Sequence, residues 1–374
     1  MADRTNLHSP LHEKHVALEA KFSDISGWDM PLSYGNPLAE ASEVRERAGV
    51  CDISHTGRFV LRGDGALDLL ERVCTADVIH QEDETALYTL LCNEKGGIVA
   101  DARVHRMQDG WVITCEPTLR AKLGEYLRSA AEDVDACKVI DRTEDTCTLE
   151  VAGPAAPELL DQVLPVKVSG MQLNEITTGS LLLAKYHLAR YGTVGGWGLQ
   201  ASFPRMFSGK AWEFITRKAG ENAILPYAHA ARDVLRVEAG VPAYGHELNE
   251  MIDPISAGLA EAVDFTHDFL GAEALKRIVD KKPSRRLVGL KVEPTPEEPE
   301  DSAPPIPVIP RMGDTVLTAD GREIGSITSG TYSPMAKSIV AMAYVAREAS
   351  ADGEQLSIRT AAAPLSASVA TLAV

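Results

Sequence analysis

Alternating and helical periods are mixed through the first 290 residues. Alternating or continuous apolar runs at Arg58 to Arg62, Ala86 to Cys92, Ile98 to Arg106, Trp111 to Cys115, Thr148 to Ala152 and Leu181 to His187 read as strands. Helical spacing puts Leu119, Leu123, Tyr126 and Leu127 on one face behind a Thr118 N-cap. Phe207 to Lys218, His229 to Ala239 and Gly271 to Val279 also read as helices. The elements are interspersed without regular βαβ spacing, which predicts α+β rather than a doubly wound sheet. No internal repeat is visible.

The pattern breaks at Val292 to Pro310, where seven prolines and five acids exclude a helix or a central strand. Proline stiffness and like charge predict a solvated connector. The expected division is 1–290, a linker over 291–310, and 311–374. Beyond the linker, Val316-Leu317, Glu323 to Ile327, Ser338 to Val345 and Gln355 to Arg359 alternate with turns, as in a small sandwich or barrel.

Charge narrows the function classes. Lys plus Arg is 37 and Asp plus Glu is 54, a formal net charge of −17. This disfavours binding to a nucleic-acid backbone or docking on anionic lipid. No apolar run approaches the ~18 residues of a membrane span, and the N-terminus has no apolar segment of a secretory signal. Six cysteines without a Cys-x-x-Cys pair read as free thiols in a reducing compartment, so a cytoplasmic protein is expected.

Phosphate-loop, dinucleotide, zinc-protease and serine-elbow motifs are absent. Four segments stand out. Asn93-Glu-Lys-Gly-Gly97 is a hairpin turn. Period two on the strand after it sets Ile98, Ala100, Ala102 and Val104 on one face and Val99, Asp101, Arg103 and His105 on the other. Asp101 there is either a partly desolvated base or part of a solvated Asp–Arg face. Arg190 to Gln200 is rich in glycine, as a ligand-approaching loop or a hairpin corner would be. His229 to Gly240 reads as a helix with Arg232 and Arg236 on one face, and Gly325 to Pro334 as a small-residue turn. A weaker candidate is Cys51-Asp-Ile-Ser-His55, suited to local hydrogen bonding, metal or triad chemistry.

In this order the segments resemble the aminomethyltransferase family, the T-protein of the glycine cleavage system. The matching pieces are His12 to His15 with Gly27 to Leu32, Val50 to His55, Ala86 through Asp101, Ala152-Gly-Pro154, Ala231 to Gly240 with Tyr244-Gly245, Phe269 to Leu275, and Ile327 to Gly330 with Ser333-Pro334. The resemblance implies a three-part cloverleaf around a folate-binding funnel, with the tail as an all-β barrel. It implies transfer of a one-carbon unit from the aminomethyl-lipoyl arm of H-protein to tetrahydrofolate, giving methylene-tetrahydrofolate and ammonia, with no metal. Carried over by position, Asp101 is the catalytic carboxylate. Tyr88 and His105 are ring contacts, His105 standing where the family has Tyr. Arg232 lies near the pterin.

Several positions depart from the family. Gln200 replaces a Glu that accepts pterin N–H bonds, so charge assistance is lost. Gly196 replaces another Glu, Thr193 a Tyr, and Thr56 a Met. These departures keep two other functions open: a tetrahydrofolate-dependent demethylase of a small O-, S- or N-methyl donor, and a non-catalytic folate-binding or assembly module. The acidic surface requires a local basic patch wherever an acidic carrier docks.

Overall fold

The computed structural model describes residues 6–108, 110–181, 184–218, 223–293 and 308–372. Its architecture is α+β in three parts, two sheet-and-helix halves and a C-terminal barrel. No helix among the described residues is long and apolar enough to cross a membrane.

The first half runs Gly57–Arg62, helix Ala66–Val73, then the meander Thr85–Cys92, Ile98–Met107 and Gly110–Cys115, and closes with helix Arg120–Ala131. The second runs Thr146–Ala152, helix Ala156–Val163, the meander Ile176–Leu181, Ala184–Ala189 and Gly198–Pro204, and helix Ser208–Lys218. The element order therefore repeats, contrary to the reading of the sequence. Each half turns from its first strand into its first helix through a glycine in the left-handed region, Gly63 (φ +104) and Gly153 (φ +118). A Cβ would strike the Ala136 carbonyl at the first and the Val44 carbonyl at the second.

The halves exchange strands. Gly49–Asp52 leads into the first half but pairs antiparallel with Thr146–Ala152 in the second. Lys138–Asp141 leads into the second but pairs with Gly57–Arg62 in the first. The meanders also meet edge to edge: the Ala86 amide donates to the Asn174 carbonyl (2.7 Å) and the Ile176 amide to the Glu84 carbonyl (2.6 Å).

Local burial explains the elements. Ala66, Leu69, Leu70 and Val73 form the buried stripe of their helix and pack with Phe59, Leu61, Ala100, Ala102, Val104 and Ile113. Leu149, Val151, Leu160, Leu199 and Trp212 form the corresponding core of the second half. Thr118 is not an N-cap. Pro117 instead starts a 3-10 turn, Pro117–Leu119, that runs into the helix without a side-chain cap. The predicted strand Leu181 to His187 spans a hairpin, with residues 182–183 outside those described. The small-residue turn at Gly325 to Pro334 is mostly strand, Glu323–Ser333.

The closed barrel has six strands, among them Arg285–Val292, which pairs with both Ser338–Ala346 and Pro364–Ala370. The barrel thus takes a strand from before the segment that composition marks as its boundary. Most of that linker, 294–307, lies outside the described residues. The helix His229–Glu238 joins barrel and halves. Arg236 is buried, with Nη1 2.7 Å from Glu247 Oε2 and Nη2 donating to Ser329 Oγ (2.7 Å) on the barrel.

Candidate active site

A cavity of about 470 Å³ lies between the two meanders and the helix His229–Glu238. That volume suits a small organic ligand. Asp101, Tyr88, Thr56, Thr193, Gln200 and Arg232 all line it.

The strand that carries Asp101 opens with a bulge. Cys92 pairs with Ile98 but Leu91 with Ala100, so the register shifts at Val99. Ile98 is thereby transferred to the cluster of Leu90, Leu248 and Ala257, away from Ala100, Ala102 and Val104. Beyond the bulge the expected alternation holds, and Asp101 and Arg103 face the cavity. One oxygen of Asp101, Oδ1, is enclosed without a hydrogen-bond partner in the protein. Burial pushes this carboxyl up to about 7; the Glu116 carboxylate adds to the rise, while Arg103 and Tyr88 oppose it. It is an acceptor left open for a ligand and poised near neutrality.

An aromatic wall stands beside it. The Arg103 guanidinium lies 4.1 Å from the centre of the Tyr191 ring and 5.3 Å from that of Tyr88. The opposite side is ionic. Arg232 Nη2 contacts Glu116 Oε1 at 3.0 Å and donates to Thr193 Oγ1 at 3.0 Å, and its Nε lies 3.4 Å from Glu150 Oε1. Burial alone would raise Glu116, but the Arg232 guanidinium holds its carboxyl below the usual range. His229 is pushed down to about 4 by burial and by Arg232. Burial and His229 together drive His55 well below its ordinary value. Two neutral imidazoles therefore line this end.

Glu150 organises the region from beneath. It is fully buried in the middle of an apolar strand and sits directly across from Gln200 in the sheet. Tyr227 donates to its Oε1 (2.8 Å), Thr193 donates to Oε2, and Gln200 Nε2 lies 3.5 Å from Oε2. The Tyr191 hydroxyl donates to Gln200 Oε1 (2.9 Å), which fixes the amide with its NH₂ toward Glu150.

His105 is corrected. It shares a strand face with Asp101 but does not line the cavity, because four residues further on the strand runs beneath the other half. There His105 Nδ1 lies 3.1 Å from His187 Nε2, with Nε2 3.2 Å from Thr114 Oγ1 and 3.4 Å from the Tyr191 hydroxyl. Burial and His187 push it well below its ordinary value. Tyr191, whose hydroxyl His105 touches, lines the cavity together with Tyr88. The Cys51 to His55 run divides: Asp52 is buried against His15 Nε2 (2.9 Å) and Ser54 Oγ (2.5 Å), while His55 lines the site.

Sequence reasoning missed Glu116, Glu150, Tyr191 and His229. Glu150 had a readable signal, a charge inside an otherwise apolar strand.

The family model of the GCVT N-terminal domain matches residues 11–267, and that of the glycine cleavage T-protein C-terminal barrel domain matches 285–374. The chain belongs to the glycine cleavage T-protein family. It is 32% identical to a protein named aminomethyltransferase from Symbiobacterium thermophilum, over 94% of this chain and 92% of that one. It is also 32% identical to one of the same name from Thermotoga neapolitana, over 91% and 90%. A crystal structure of glycine cleavage system aminomethyltransferase T from Bartonella henselae superposes with a TM-score of 0.86 at 27% identity, covering 98% of this chain and 97% of that one. As a T-protein family member the chain carries the expected three-part fold, and its cavity lies in the part that the N-terminal model matches.

Proposed function

We propose that this chain is a tetrahydrofolate-dependent aminomethyltransferase, taking its one-carbon unit from an aminomethyl group on the lipoyl arm of an H-protein-like carrier. The observation that carries the reading is the unpartnered Oδ1 of Asp101, enclosed in a cavity walled by Tyr88, Tyr191 and Arg103. Membership of the family and the names of the relatives support it. Those names give the demethylase reading no support.

In the balanced reaction the carbon exchanges its bonds to sulfur and nitrogen for bonds to two folate amines. Two protons pass from those amines to the departing groups, giving ammonia and a free thiol. Tetrahydrofolate supplies the paired amines. Asp101, near neutrality, is suited to accept a proton from an attacking amine and return it to the departing nitrogen. Its charge also stabilises a developing iminium-like carbon. The Arg103-backed Tyr191 and Tyr88 give a flat apolar wall for a ring, and Arg232, held by Glu116 and Glu150, fixes the far wall. Gln200 and Thr193 present polar atoms between the two. The six free thiols fit a reducing, cytoplasmic setting.

The test mixes the protein with tetrahydrofolate and aminomethyl-lipoyl H-protein. Methylene-tetrahydrofolate and ammonia in equal amounts are expected. No turnover with this donor, but methyl-tetrahydrofolate from a small methylated donor, would overturn the reading.

A further inference from the structure

The three-stranded sheet at the N-terminus touches the cavity through Ile25 at one end, and away from that end the strand Leu7–His8 runs parallel to Trp28–Ser33 in a register that sets His8 opposite Asp29. Both side chains therefore lie on one face. The helix His12–Ala17 begins four residues later and brings His12 over the same spot. His8 Nδ1 and His12 Nδ1 are 3.2 Å apart, and they lie 3.7 and 3.8 Å from the same Asp29 oxygen, Oδ2.

We propose that His8, His12 and Asp29 form a binding site for a divalent transition metal of the zinc type. Three lone-pair atoms converge on one point, and among the described residues no other group of His, Cys, Asp and Glu does so. A tetrahedral ion bound at 2.0–2.1 Å needs ligand atoms about 3.3 Å apart. The His8–His12 edge, 3.2 Å, matches that; the two edges to Asp29, 3.7 and 3.8 Å, would close by about half an ångström on an ion, and all three are wider than the roughly 3.0 Å edge of an octahedral face. Neutral imidazole and carboxylate are the ligand types zinc accepts. Without an ion, a single hydrogen between the two Nδ1 atoms leaves the second pair of contacts unmade.

His12 is held in place by its ring, which packs 4.8 Å from that of Phe22 on the neighbouring strand. His8 and Asp29 stay accessible, with 56% and 28% of their side chains exposed, so an ion has an entry path. A recess of about 690 Å³, lined by His8, Ser9, His12, Glu13, Arg205 and Ser208 among others, opens beside the imidazoles. It leaves the fourth position to water. Such an ion ties the first strand, the first helix and the hairpin together, so its consequence is stability of the N-terminal sheet. The sequence leads to an expectation of no metal; this site is proposed against it, and none of its three residues lines the cavity.

The test is calorimetric titration of the full chain with zinc chloride, alongside His8→Ala and Asp29→Asn. One equivalent bound by the unsubstituted protein is expected, with affinity lowered at least tenfold in each variant. Saturating zinc should raise Tm by on the order of a few degrees in the parent and by nothing in the variants. Circular dichroism checks that both variants fold, and their transferase activity should be unchanged. No zinc-dependent heat or Tm shift in the parent, or the same titration in folded variants, would overturn the proposal.

Discussion

In the first half of the molecule Ala86 pairs with His105, and in the second Ile176 pairs with Ala189. Counting back along each middle strand, Asp101 corresponds to Lys185 and Arg103 to His187. Asp101 and Arg103 line the cavity, whereas Lys185 is exposed and His187 is buried against His105. The second half contributes instead through its next strand and the loop before it, with Gln200, Tyr191 and Thr193. One architecture repeated thus gives two different surfaces. Burial and the Glu116 carboxylate of its own half raise Asp101 toward neutrality. The strand exchange makes the arrangement obligatory, since neither sheet is complete without a strand that leads into its neighbour.

The severest way to break this asymmetry is Asp101→Asn. It keeps the shape and removes the base, so kcat is expected to fall by roughly two orders of magnitude or more. In the parent, kcat/KM should decline toward acid with a midpoint near 7. The stability consequence has the opposite direction. The folded carboxyl holds its proton up to about 7, well above the roughly 3.9 of an unfolded Asp. The fold therefore binds more protons between those values and loses stability as pH rises through them. Asp101→Asn should raise Tm above pH 7 relative to the parent, and the gain should vanish below about pH 4, where both states carry the proton. A thermal-melt series over pH checks this. A variant with parental rate would remove Asp101 from the chemistry.

Next in size is Glu150→Gln, which removes the charge beneath the second half's wall. Arg232 keeps Glu116 but loses its buried partner, and Tyr227 and Thr193 lose a charged acceptor. Removing one member of a buried pair costs about 3 kcal/mol. The denaturation midpoint should fall accordingly, with KM for folate rising more than kcat falls. An unchanged KM would mean that Arg232 is held by Glu116 alone.

What the sequence made legible follows from the range of the interactions. The helix spacing of Ala231 to Gly240 and the alternation around Asp101 are local, and both elements form where the pattern puts them. The single-residue bulge that moves Ile98 to the other face leaves no local mark, since Ile98-Val-Ala reads equally well unbulged. The resemblance makes His105 a ring contact by position, on the strand face of Asp101, while its burial depends on a partner 82 residues away. Arg285–Val292 carries three charges in eight residues and goes unassigned in the sequence; it becomes a barrel strand only through partners beyond the linker. The repeat is carried by topology, by the glycine turns and the exchanged strands, which the local pattern does not show. Glu150 was visible as a charge in a strand, but its meaning depends on Gln200 lying across from it.

Gln200→Glu has a smaller effect, and one whose direction the sequence does not give. The resemblance implies a carboxylate there, and in isolation one would tighten a pterin through charge-assisted bonds. Here Glu150 Oε2 already lies 3.5 Å from the amide nitrogen. Two carboxylates at that distance repel, and the substitution should cost on the order of 1–2 kcal/mol and weaken folate binding. Pairing it with Glu150→Ala should recover part of both losses, because neighbouring substitutions do not add. Equilibrium binding on the two singles and the double would measure the coupling. Additive behaviour would mean that the carboxylate on one strand does not stand in for the one missing from the other.

The mildest substitution bears most directly on the two halves. Lys185 holds the position that Asp101 holds in the other meander, so a duplicated site predicts that both matter. An asymmetric one predicts that only Asp101 does. Lys185 is exposed and lies outside the cavity lining. Lys185→Ala should therefore leave kcat and KM unchanged and move stability by no more than about 0.5 kcal/mol. The comparison is clean because the residues hold equivalent places on equivalent strands, and differ in that Asp101 lines the cavity while Lys185 is exposed. A loss of rate in Lys185→Ala without a loss of fold would mean that the middle strand of the second half also reaches the reacting carbon, and that placement in the cavity wall is not what selects the working position.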